Sequence, residues 1–320
     1  ESLSDEWVDL ILHTLKESER LGLEFAMHNC PGWSSSGGPW ITPDKAMQII
    51  TWSETKITGG KQVRIQLPTP KHMFDYYIDT YCLAIPANMK VIPRLSILEL
   101  SNRLDKDGVL TWDVPTGEWL IMRFGQTAKD QKNKSAPSKS TGLDCDKFST
   151  EALDYHLNCM FKRLMPTMEK IAKHSKIGLL IDSYETGDQD WTSDMPVYFE
   201  QSHGYELYPF LPVLANKIVE SEESTKRFLF DFRRVRADMF AERYYGHFQK
   251  RCKEKGIITY TEPYGGNMME ELQVAQQLDI NMGEFWCGQT VLWANYKYNR
   301  TVKQVASIAH TLGGKVVGAE

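Results

Sequence analysis

Apolar positions along this chain follow two different periods. Within residues 4–21 (SDEWVDLILHTLKESERL) they fall at Trp7, Ile11 and Leu15, a helical interval, and Ser4 or Asp5 can cap the start. An apolar strand over residues 23–29 is predicted to follow. From 60 to 118 the period becomes two, in runs such as VRIQL and YYIDTYCLAI separated by Pro and Gly, which predicts antiparallel strands inserted into the surrounding fold. Residues 119–127 (WLIMRFGQT) return to the continuous apolar pattern of a buried strand, and the polar stretch 129–141 reads as an exposed loop. Two long amphipathic helices come next. One carries Leu153, Leu157, Met160, Leu164, Met168 and Ile171 on one side, the other Phe228, Phe232, Val235 and Met239, with Arg233, Arg234 and Arg236 on a solvated face.

Four further apolar runs each end in a carboxylate: 177–185 (IGLLIDSYE), 257–262 (IITYTE), 279–284 (DINMGE) and 315–320 (KVVGAE). Strands that end in acids, separated by helical segments, are how a (β/α)-barrel delivers carboxylates to its C-terminal mouth. The pattern predicts an α/β fold: a TIM-type barrel spanning residues 1–320, with about six of the eight strands a closed barrel needs, and a β-rich insertion at 60–118. Strand ends near Asn29, Thr127, Glu185, Glu262, Glu284 and Glu320 would converge on one mouth, which points to a carboxylate-based hydrolase. Counting by twos back from Glu185 places Asp182 on the opposite strand face, toward the helices.

Composition narrows the function classes. With 42% hydrophobic and 25% charged residues the chain is an ordinary globular one, and its 37 basic residues are scattered against 42 acidic, so no phosphate-tracking surface and no nucleic-acid partner are expected. No apolar run approaches the roughly 18 residues of a membrane span, and the N-terminal residues lack the pattern of a signal peptide. Six dispersed cysteines, without CxxC or zinc spacing, read as buried thiols.

The most distinctive local text is MHNCPGWSSSGGPW, residues 27–40. Small residues and tryptophans directly after a strand suit a loop that brings backbone close to a ligand and stacks an aromatic on it. It carries neither a phosphate-loop nor a nucleophile-elbow spacing.

Taken in order, MHNCPGWSSSGGPWITP, DSYETGDQDWT, TEPYGG and VVGAE resemble the catalytic-domain motifs of glycoside hydrolase family 106, the α-L-rhamnosidases. The resemblance covers essentially the whole chain. It implies an incomplete (β/α)8 barrel from a longer multidomain protein, inverting release of terminal α-L-rhamnose from plant or bacterial polysaccharides or rhamnosides, a calcium ion in the sugar subsite, and a periplasmic or secreted bacterial location. Carried over by residue, Glu185 matches the general acid, Glu320 the general base, and Glu284 a further acid of the sugar site.

The residue chemistry agrees with that implication. Inversion needs one protonated and one ionised carboxyl roughly 6.5–9.5 Å apart, and an apolar strand before Glu185 would leave it partly buried. Calcium takes six to eight oxygen ligands, to which a cis-diol can contribute two; Glu262, Glu284 and Asn29 are the expected protein ligands. Trp33, Trp191 and Trp286 are expected to pack on the sugar, with Trp40 and Trp293 further apolar faces, and His28 and His203 to bond its hydroxyls. Two alternatives stay open. One is a retaining barrel glycosidase using Glu262 as acid/base; the other is a sugar-binding module without turnover.

Overall fold

The computed structural model describes residues 1–284, 292–314 and 316–320, the side chains of 292–299 excepted. The fold is mixed α/β, and it divides into two compact units: residues 1–47, 130–189 and 237–320, and residues 48–129 and 190–236.

The first unit opens with helix α1 (Asp5–Leu21), where Ser4 Oγ accepts from Trp7 N at 3.3 Å and Gly22, at φ 71°, turns the chain out of the helix. Five parallel strands follow: β1 (Phe25–His28), β2 (Ile177–Ile181), β3 (Ile258–Thr261), β4 (Ile280–Gly283) and β5 (Gly318–Ala319). They neighbour one another in chain order. An order that never reverses is singly wound, the arrangement that curls into a barrel, whereas a doubly wound sheet reverses at a switch point.

Register decides what each face carries. The pairs Ala26↔Gly178, Leu180↔Tyr260, Tyr260↔Ile280 and Met282↔Gly318 put the even-numbered residues of all five strands on one side. A Cβ on Gly178 would lie 2.5 Å from the Tyr260 ring, and one on Gly318 2.5 Å from Met282 Cγ, which confirms the shared face. Odd-numbered Met27, Ile177 and Leu179 pack instead on Met160, Phe161, Leu164 and Met168 of helix α2 (Thr150–Ile171). The expected apolar stripe of α2 is therefore its buried face.

The second unit is β-rich. Gln48–Thr58, Glu118–Ala128, Ile78–Pro86 and Leu98–Glu99 form one antiparallel sheet, and Lys61–Gln66 pairs with Val109–Val114. Leu67, Cys82, Ala84, Leu110, Trp112 and Ile121 make its core. Antiparallel pairing thus runs from Gln48 to Ala128, beyond the expected 60–118. The strand over 119–127 is the main correction: it pairs antiparallel to Gln48–Thr58 and is not a barrel strand. Nearly every residue of Glu118–Ala128 is buried, and a strand covered on both faces loses its alternation whichever way it runs. Phe228 of the helix Glu222–Met239 packs at 5.2 Å on Phe210 and 5.8 Å on Phe199, so this end of the second predicted stripe belongs to an aromatic core in the second unit. Among the described residues no helix is long and apolar enough to cross a membrane.

Candidate functional site

Strand geometry brings a set of carboxylates together. Residues two positions beyond Leu180, Tyr260, Met282 and Gly318 on the even face are Asp182, Glu262, Glu284 and Glu320. The ladder continues just past the strands, with Glu262 N donating to Ile181 O at 3.2 Å and Glu320 N to Gly283 O at 2.9 Å. One carboxylate oxygen each from Asp182, Glu262 and Glu320 lies within 4.8 Å of the others. Asp182 therefore points to the mouth and not to the helix layer. β2 ends at Ile181, so counting by twos is valid from Leu180 to Asp182 but not back from Glu185, which lies on the loop beyond.

The cluster is electrostatically costly as a set of free anions. Glu262 is 1% exposed, and burial first, then the adjoining Asp182 carboxyl, hold its proton well above the usual carboxylate range; a Tyr264 hydrogen bond pulls the other way. Its Oε1 is buried without a partner, and His28 Nδ1 lies 3.6 Å from Asp182 Oδ2. Three hard oxygen donors around one point, one of them orphaned, fit a calcium- or magnesium-type cation.

Glu185 is exposed on the loop after β2, contrary to the partial burial expected of it, whereas its neighbour Tyr184 is buried. Trp33 Nε1 donates to Glu185 Oε2 at 2.8 Å. Beside this pair a cavity of about 260 Å³ is lined by Ser183, Glu185, Tyr264, Asn267, Glu284 and Arg300. Tyr264 OH donates to Glu284 Oε2 at 3.3 Å, and Arg300 pairs with Glu271 at 3.1 Å. The glycines of TEPYGG have a steric reason: a Cβ on Gly265, at φ 118°, would sit 2.3 Å from Tyr184 O, and one on Gly266 2.5 Å from the Tyr184 ring.

The loop that carries Trp33 is braced from beneath. Its serines, expected to offer backbone to a ligand, are buried. Cys30 Sγ donates to Ser34 O at 2.6 Å, while Asn29 Nδ2, at 2.9 Å, and Tyr244 OH both donate to Ser35 O. Lys147, fully buried and paired with fully buried Asp144, donates to Ser36 Oγ at 2.6 Å, its Nζ 4.9 Å from the centre of the Tyr244 ring. Tyr244 sits in a π-helical segment, Phe240–Gly246, that interrupts the surrounding α-helix. Nothing in the sequence marked these supports beyond the acids and lysine of DCDK after the polar loop.

Asn29 is not a free ligand. Its Nδ2 also donates to Leu180 O at 3.0 Å, and its carbonyl and Oδ1 lie 2.9 and 3.1 Å from His156 Nε2. Its amide N–H groups tie the end of β1 to the Ser35 loop and to β2, and its oxygens meet His156 of the helix layer. Trp191 belongs to the second unit, where it is fully buried and its backbone N–H donates to Gln48 O at 3.3 Å, so it offers no ring face to a sugar. His203 also belongs to that unit, its ring 5.1 Å from Phe199. Trp286 and the side chain of Trp293 lie outside the described residues. Of the cysteines, Cys30, Cys82, Cys145 and Cys252 are buried free thiols, as expected.

A family model described as alpha-L-rhamnosidase, that of glycoside hydrolase family 106, matches residues 2–75 and 71–320. The chain belongs to this family. A protein of Formosa agariphila provisionally named as a beta-glucuronidase is 38% identical over 349 residues, covering 99% of this chain and 29% of its own length. The solved structure of a rhamnosidase from Novosphingobium sp. PP1Y superposes with a TM-score of 0.88 at 20% identity, covering all of this chain and 47% of the other, a likeness of fold. This family 106 chain therefore spans less than a third of the curated relative and about half of the solved one.

Proposed function

We propose that this chain is part of the (β/α)8 catalytic barrel of an α-L-rhamnosidase that releases terminal α-L-rhamnose from polysaccharides or rhamnosides with inversion. The observation that carries the reading is the convergence of Asp182, Glu262, Glu284 and Glu320 on one strand-end face, with Glu185 on the loop beside an adjoining cavity. Glu185, protonated, gives its proton to the glycosidic oxygen as the bond to the anomeric carbon breaks. Glu320, ionised, takes a proton from the water whose oxygen attacks that carbon from the opposite face. Glu185 ends ionised and Glu320 protonated, and exchange with solvent resets both.

Asp182 and Glu262, beside Glu320, would hold calcium, in place of the expected set of Glu262, Glu284 and Asn29; when bound, the ion supplies fixed positive charge and a seat for a cis-diol. An acidic mouth whose lining cation among the described residues, Arg300, is already paired with Glu271 supports a neutral deoxy sugar over a uronic acid. Polymeric substrates of this kind are met outside the cytoplasm, so the protein would be periplasmic or secreted.

One observation favours the retaining alternative: oxygens of Glu262 and its neighbours are as close as a nucleophile and acid/base pair, roughly 5–5.5 Å. Burial of Glu262 weighs against it, since a carboxyl 1% exposed does not reach a glycosidic oxygen. The test is turnover of an aryl α-L-rhamnoside by the full-length protein, followed by proton NMR. β-L-Rhamnose as the first product is the expected result; α-L-rhamnose first would select the retaining reading, faster cleavage of an aryl β-glucuronide would replace the substrate class, and binding without turnover would leave a sugar-binding module.

A further inference from the structure

We infer that Trp33 is a positioning residue for proton transfer: its indole N–H fixes the Glu185 carboxyl so that Oε2 accepts and Oε1 carries the proton that leaves. The inference deepens the proposed function and rests on Glu185 acting as the acid.

An exposed glutamate side chain populates several rotamers, and holding it in one costs side-chain entropy. Among the described residues Trp33 is the hydrogen-bond partner that holds Glu185. Glu185 lies between buried Tyr184 and Thr186, so its backbone is held while its side chain is exposed, and the Trp33 loop is bound on both sides of the residue. Before it, Gly32 at φ 77° passes so close to Lys134 that a Cβ would lie 2.0 Å from the Lys134 carbonyl oxygen. After it, the carbonyls of Ser34 and Ser35 accept from Cys30, Asn29 and Tyr244, and Ser36 is fastened to the buried Lys147–Asp144 pair. The braced indole thus places the exposed carboxyl side chain.

Chemistry then settles which oxygen is which. An indole N–H only donates, so the oxygen it meets is the acceptor of the carboxyl group. In the protonated acid the carbonyl-type oxygen is the better acceptor, which leaves the proton on Oε1. At 43% exposure the Trp33 ring is open to solvent, and its edge is spent on Glu185. This assigns Trp33 to the leaving group's proton and not to the stacking on sugar that its residue type first suggested.

The test uses the full-length protein and two α-L-rhamnosides, an alkyl one whose departure needs protonation and an activated aryl one whose departure does not. Trp33→Phe keeps an aromatic ring and removes the N–H. It is expected to lower kcat on the alkyl substrate about 10- to 100-fold, part of what a general acid supplies, with KM little changed and aryl turnover largely kept. Trp33→His, which restores an N–H donor, is expected to recover part of the alkyl rate, and matched thermal unfolding shows that the variants are folded. A raised KM on both substrates, an equal kcat loss on both, or no loss on either overturns the positioning role. Glu185→Gln run in parallel separates the two levels: leaving-group dependence there but not in Trp33→Phe defeats this inference alone, and none in Glu185→Gln defeats the acid assignment beneath it.

Discussion

Asp182 and Glu262 leave adjacent parallel strands, β2 and β3, with a carboxylate oxygen of each within 4.8 Å of the other and of one from Glu320. Buried acids at this separation need a shared proton or a cation between them. If calcium is that cation, excess chelator should abolish turnover by the full-length protein and added calcium restore it. Asp182→Asn should weaken calcium binding by at least about tenfold in titration calorimetry, the scale on which changes around a metal site usually act. Full activity in chelator, with no metal found by elemental analysis, would remove calcium from the account.

Glu185 and Glu320 should respond unlike each other. Glu185→Gln and Glu320→Gln should each lower kcat on an alkyl rhamnoside by about 10²- to 10⁴-fold, since each removes a proton-transfer partner. On an activated aryl rhamnoside Glu185→Gln should regain most of its rate while Glu320→Gln stays slow. The reverse pattern would exchange the two roles.

Lys147 and Asp144 form an ion pair with no exposed surface under the Trp33 loop. Removing one partner strands a buried charge, so Lys147→Met should destabilise the protein by about 3–5 kcal/mol, measured from the urea dependence of unfolding. The double variant Lys147→Met/Asp144→Leu should recover much of that loss. A single variant as stable as the parent would show that the pair does not brace the loop.

His156 gives a pH dependence. Trp40 Nε1 donates to His156 Nδ1 at 3.1 Å, so the ring proton sits on Nε2, directed at Asn29, and the imidazole is held neutral. Burial lowers its pKa from 6.5 to about 4. Between those values the unfolded chain binds the proton that the folded protein excludes, so stability rises with pH across this window and is lost as pH falls through it. The loss attributable to His156 is about 3 kcal/mol by pH 4, at 1.36 kcal/mol per unit. His156→Gln should flatten this limb of the thermal-unfolding profile; an unchanged slope would show that other groups set it.

What the sequence determined by itself was whatever depends on neighbours along the chain. Helix α1 with its Ser4 cap, the buried stripe of α2, the antiparallel character of 60–118 and the apolar strands running into Glu262, Glu284 and Glu320 all rest on local period and capping chemistry, and the family rests on motif text in order. Only the tertiary structure decided which strands lie side by side. Residues 119–127 read as a barrel strand because full burial erases alternation, and it is pairing with Gln48–Thr58 that makes them part of another sheet. The position of Asp182 beside Glu262, and the hydrogen bonds that hold Asn29, have the same origin. Strand ends and hydrogen-bond partners are set by contacts far apart in sequence: β2 stops at Ile181, and the side-chain oxygen of Asn29 meets His156 from a helix across the fold. The brace under Trp33 is the extreme case, because a lysine looks alike in sequence whether it is solvated or, like Lys147, buried against an aspartate.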